Sequence, residues 1–176
     1  TARHVATKLV RHFVADDPPA AAVDHIANVF QSSGGDLRIV AGALVDLPDA
    51  WKAPLSKLRT PNDMVIAALR ALEVPVEDDK LVGSLHLLGQ APFGANSPAG
   101  WPDTATDWLS PEALMRRADW AVAVGDRVGR LVDPRLLAKH SIGPVATDTT
   151  LFLINGAPSA AEGVAMTLLS PEFQRR

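Results

Sequence analysis

The sequence predicts an all-α protein: a compact array of seven to nine short helices with one long Trp/Pro/Gly-rich loop. Three observations predict it. Apolar residues recur every three or four positions along most of the 176 residues, the spacing that builds one helical stripe. Alanine, the best helix former, occurs 28 times. Proline occurs 14 times, yet five prolines follow a capping side chain, in Asp17-Pro18, Thr60-Pro61, Ser110-Pro111, Asp133-Pro134 and Ser170-Pro171. At the first helical position proline's missing N–H costs nothing and its fixed φ suits the helix.

The elements follow in order. Val5, Leu9 and Phe13, with Ala6, Val10 and Val14 beside them, form the stripe of a first helix. Asp17-Pro18 starts a second, whose stripe is Val23, Ile26 and Phe30 and which Gly34-Gly35 ends. Asp36 caps a third through Leu37, Val40, Leu44 and Leu47. Thr60-Pro61-Asn62-Asp63 opens a fourth, with Val65, Leu69 and Leu72 inward and Pro75 as its stop. The acidic run Glu77-Asp78-Asp79 precedes a fifth, from Lys80 to about Gly89, and suits the positive end of its dipole. Ser110-Pro111-Glu112 opens a long helix through Leu114, Ala118, Ala121 and Val122, and Asp133-Pro134 a short one with Leu136 and Leu137. The β-prone patch Leu151–Ile154 is too short and isolated for a sheet and reads as helix. Ser159 and Glu162 form a capping box for a last helix through Val164, Met166 and Leu168.

Residues 91–109 break this pattern. They have no helical period and carry Trp101 and Trp108. A loop of that length is usually functional or disordered, and tryptophan argues against disorder. There is also an internal echo. Residues 43–51 and 166–174 both read as an apolar helix end, a proline, an acid and a nearby aromatic. The expected geometry is a helix that stops, turns at proline and tucks an aromatic against its own last turn.

Residues 1–176 read as one all-α domain. Apolar residues make up 47% of the chain, enough for a sizeable core, and the net charge is −3. That charge excludes the basic footprint of a nucleic-acid binder. The chain has no cysteine, so thiolate chemistry and zinc–cysteine sites are excluded. The longest run without Asp, Glu, Lys or Arg, Leu81 to Pro102, is broken by glycine and proline and cannot span a membrane as a helix.

No complete catalytic constellation emerges, and no cofactor is implied. His4, Lys8 and His12 share a helix face, but the two histidines are about 12 Å of rise apart, too far for one metal ion. A Gly-x-Ser-x-Gly elbow and a phosphate loop are both absent. Asp103, Asp107 and Glu112 flank Trp101 and Trp108. Carboxylates beside tryptophan suit a sugar, but the same residues also suit a loop anchored by its tryptophans. Arg116 can reach back to Asp103 or Asp107 and pin the loop, or meet an anionic ligand. The candidate ligand-binding set is therefore Gln90, Trp101, Asp103, Trp108 and Arg116.

Several motifs together resemble the uncharacterised bacterial family known as domain of unknown function 1800. They are Arg3-His4-Val5-Ala6-Thr7-Lys8-Leu9, Gly35-Asp36-Leu37-Arg38, Gly89-Gln90-Ala91-Pro92-Phe93, Ser97-Pro98-Ala99-Gly100-Trp101-Pro102, and the closing Leu168-Leu169-Ser170-Pro171-Glu172-Phe173-Gln174. The resemblance implies an exported bacterial protein, periplasmic or secreted, often encoded beside a second uncharacterised protein. It implies further that this chain is the carboxy-terminal part of a longer one. It brings no agreed catalytic residues. Leu47-Pro48-Asp49-Ala50 departs from the Ser-Pro-Glu-Phe often found there in the family, which predicts a turn kept without its cap. Two functions are then expected. One is a module for interaction or scaffolding with the protein's own amino-terminal region and a partner protein. The alternative is a carbohydrate-binding or hydrolytic region at the 90–117 loop.

Overall fold

The computed structural model describes residues 1–52, 55–75 and 77–176. It contains ten α-helices and a 3₁₀ turn among these residues. The contacts gather into two compact units, residues 1–57 and 58–176.

The first unit holds α1 (Ala2–Phe13), α2 (Ala20–Ser32), α3 (Leu37–Val45) and the 3₁₀ turn Pro48–Trp51. The buried line of α1 is Ala2, Ala6, Val10 and Val14, with Phe13 exposed. The stripe therefore sits one residue over from the Val5–Leu9–Phe13 line, and the small alanines on it let α2 approach closely. Asp17 and Pro18 do not start α2. The helix begins at Ala20, with Pro19 in the N-cap position. Pro19 disfavours helical geometry at Pro18, which pushes the start downstream. Gly34 and Gly35 both have positive φ and end α2 as expected. Asp36 caps α3 by accepting from the N–H groups of Arg38 and Ile39. Lys57 is buried, and its ammonium lies 2.6 Å from an Asp16 carboxylate oxygen.

The second unit holds α4 (Pro61–Leu72), α5 (Asp78–Leu87), α6 (Ala105–Trp108), α7 (Pro111–Val128), α8 (Pro134–Ser141), α9 (Asp148–Asn155) and α10 (Ala160–Leu169). The one-turn α6 inside the 91–109 loop takes the number above the seven to nine expected. Thr60 and Asp63 form a full capping box on α4. Ser110, Asp133 and Ser159 each accept from an N–H in the first turn of their helices.

The inward face of α7 differs from the expected line. Arg117, Trp120, Ala121, Gly125 and Val128 are buried, while Leu114 and Val122 are exposed. The glycines decide this. A Cβ built on Gly125 would stand 2.3 Å from the Ala161 carbonyl oxygen, and one on Gly129 2.7 Å from the Ala161 Cα. The two helices touch backbone to backbone, so the glycine side of α7 has to face α10.

Ser170-Pro171 makes a single turn rather than a new helix. Ser170 accepts from the Phe173 N–H and donates to the Thr167 carbonyl. The Glu172 carboxylate accepts from the Thr147 N–H and the Thr150 hydroxyl, tying this turn to the start of α9. Partial burial works against that carboxylate, but hydrogen bonds from the Thr147 backbone, its own backbone and both threonine hydroxyls outweigh it and lower its pKa. A carboxylate with a depressed folded pKa stabilises above its unfolded value, near about 4.3, and the gain disappears as pH falls through the folded value. Glu172→Gln should therefore lower the melting temperature at pH 7, and the gap to the unaltered chain should narrow at pH 3. Thermal circular dichroism at the two pH values reads this, and an equal gap at both would exclude a role for the charge.

Candidate functional site

A concavity lies between α4, α5 and α7. It is a cleft of about 650 Å³, within the range of ligand sites. α4 brings Val65, Leu69 and Leu72, α5 brings Leu81 and Leu87, and α7 brings Trp120, Val124 and Val128. The local sequence explains why it stays open. Glu73 takes the left-handed conformation, φ 54°, and stops α4. Val74 and Pro75 then line the cleft, and the next helix described begins at Asp78. Gly83 on α5 faces the cleft with no side chain to fill it.

The mouth is charged. Glu77 and Lys80 pair there, and Arg127 lines the same rim. The hydrogen bond and charge of Lys80 hold the Glu77 carboxylate below its usual pKa, and Arg127 adds to the effect. The one lining hydroxyl, on Ser84, donates to the Lys80 carbonyl at 2.9 Å. No histidine lines the cleft, and its titratable groups are Glu77, Lys80 and Arg127 at the rim. Its chemistry is the burial of apolar groups beneath an ion pair.

The residues singled out in the sequence lie elsewhere. Gln90 accepts from the Asn62 N–H at 2.7 Å, satisfying a donor in the first turn of α4. Trp101 and Trp108 meet with ring centroids 6.0 Å apart. Trp108 is buried and donates from its indole to the Pro102 carbonyl, while Trp101 and Asp103 are partly buried. Arg116 pairs with Glu112, one turn back on α7, rather than with Asp103 or Asp107. Asp107 holds the Thr104 hydroxyl. Arg116 also lies beside Gly89. The structure thus joins Trp101 to Trp108, and Arg116 to the Gly89–Gln90 corner. None of the five lines the cleft.

Sequence reasoning passed over Arg117. It is 2% exposed, and its guanidinium donates to the Arg59 carbonyl at 2.8 Å and to the Gln174 side-chain oxygen at 2.5 Å. Burial lowers its pKa. The signal was its place on the buried stripe, three and four residues before Trp120 and Ala121. Among the described residues no group of three or more His, Asp or Glu could hold a metal ion. No helix there is long and apolar enough to cross a membrane.

The described residues form an all-α fold with an apolar cleft beneath a charged rim. The chain belongs to the DUF1800 family, proteins of unknown function, whose profile matches residues 1–175. Neither a curated protein nor a solved structure matches the chain.

Proposed function

We propose that this chain is a helical module for interaction or scaffolding within an exported bacterial protein. It engages the protein's own amino-terminal region and a partner protein. The observation that carries this reading is the α4–α5–α7 cleft, about 650 Å³ of mainly apolar wall under the Glu77–Lys80 pair. Apolar clefts of this kind take apolar anchors from a partner while a polar rim sets orientation. Export rests on family membership alone. The carbohydrate or hydrolytic alternative has less support, because Gln90 and Trp108 hold their polar groups against the fold and Arg116 pairs with Glu112 on its own helix.

The partner to try is the protein encoded beside family members, and the occupant of the cleft is an apolar segment of it. Leu87 and Leu131 line the cleft and are at least half exposed, so charging them leaves the core intact. In calorimetric titration of that protein, Leu87→Asp and Leu131→Asp should each weaken binding by about tenfold or more, the loss of one good anchor. Equal binding by the unaltered chain and both variants, or no binding at all, would overturn the reading.

A further inference from the structure

A smaller pocket, about 190 Å³, shares no lining residue with the cleft. Leu109, Leu114, Leu169 and Pro171 give it apolar walls, and Arg117 and Arg175 line it as well. Backbone pairing fixes the side beside Arg175. The Arg59 N–H donates to the Gln174 carbonyl at 2.8 Å, and Leu58 and Arg175 form an antiparallel bridge. One water needs about 10–15 Å³ of such space, so the pocket has room for several atoms. It falls short of the about 300–1,000 Å³ of drug-sized ligand sites, so it suits a small group.

Arg117 sets the chemistry of this pocket. It is buried, yet its guanidinium meets neutral acceptors: the Arg59 carbonyl, the Gln174 side-chain oxygen and the Met64 sulfur. Among the described residues it forms no ion pair with a carboxylate. Burial lowers its pKa. Arg59 differs, because there Asp63 works against the effect of burial. Asp63 also lies 3.4 Å from Arg176. A buried cation is costly unless an opposing charge meets it. A guanidinium carries five N–H donors, and the three acceptors around Arg117 do not use them all.

We propose that this pocket binds the carboxylate of a short aliphatic acid, with Arg117 as its counter-charge and the leucine walls around its chain. The planar guanidinium matches a carboxylate, which can take two parallel hydrogen bonds from it. Walls that keep water away strengthen the pair. The same walls select the ligand. Phosphate would press oxygens without partners against leucine, whereas an aliphatic acid keeps its polar atoms at one end. A free acid and the terminus of a peptide ending in an apolar residue share this chemistry. The site is separate from the cleft, so it stands or falls independently of the interaction reading.

The test is a chemical-shift titration of the ¹⁵N-labelled chain with hexanoate, beside 1-hexanol and inorganic phosphate. Hexanoate should shift the Arg117 Nε–H and Leu114 amide signals saturably. Hexanol lacks the charge and phosphate lacks the chain, so each should bind about tenfold or more weakly. Arg117→Gln should weaken hexanoate by a similar factor. Because Arg117 also holds Arg59 and Gln174, a second variant leaves those bonds alone. Leu114 is exposed at the pocket wall, and Leu114→Trp fills the space from there. It should weaken hexanoate about tenfold or more with the rest of the spectrum unchanged. A tripeptide ending in leucine distinguishes the sources: tighter binding than hexanoate assigns a peptide terminus, weaker binding a free acid. No saturable shift with either acid would overturn the proposal. So would equal binding by hexanol or by phosphate, or hexanoate binding that Leu114→Trp or folded Arg117→Gln leaves unchanged.

Discussion

Replacing Phe173 with alanine is expected to cost about 3–5 kcal/mol of stability, the range for emptying a fully buried aromatic site. Phe173 is 1% exposed and packs in the core built from α4, α7, α8 and α10. Its neighbours cannot easily collapse into the space. The Arg59 guanidinium lies over the ring, 5.0 Å from its centroid, and also donates to the Phe173 carbonyl. Ser170 fixes the Phe173 N–H, and Arg117 holds Gln174 next to it. The ring is thus held by polar bonds on both sides, and a void would persist beneath them. Urea unfolding measures the loss, with Phe152→Ala as the control, since Phe152 is 76% exposed and should cost under about 0.5 kcal/mol. Similar small losses in both variants would show that the closing turn is not part of the cooperative core.

Gly125→Ala should cost about 3 kcal/mol, at the upper end for overpacking. The new Cβ would sit 2.3 Å from a backbone oxygen of α10. Backbone cannot step aside as a flexible side chain does, so the helices must separate along their whole contact. Val128, Val164 and Leu168, all buried there, would lose packing together. The gain in helix propensity, about 1 kcal/mol, does not offset this.

The helices were legible because their signals are local. Asp36, Thr60, Ser110, Asp133 and Ser159 each cap where the sequence places them. Pro18 misled because a second proline follows it, and Ser170-Pro171 because its cap serves one turn and then meets Phe173, which turns into the core. Periodicity found that α7 is amphipathic but not which side is inward. That side follows from backbone contact at Gly125 and Gly129, which apolar counting overlooks. The cleft was invisible for a related reason. It is a space between helices distant in sequence, α4 and α7, and Leu69 or Val124 reads as core whether or not anything fills the gap. The 91–109 loop drew attention by its composition, but its tryptophans largely serve its own fold.

Two helix glycines stand in opposite surroundings: Gly125 of α7 meets the backbone of α10, while Gly42 of α3 has open space at its Cβ. The paired stability of Gly125→Ala and Gly42→Ala in residues 1–176 tests it most directly. Gly125→Ala should destabilise as stated, while Gly42→Ala, with open space at its Cβ, should stabilise by up to about 1 kcal/mol through helix propensity. Opposite signs in urea unfolding are the predicted result. A loss of stability in both variants would mean that α3 is already covered within these residues, and would contradict the account.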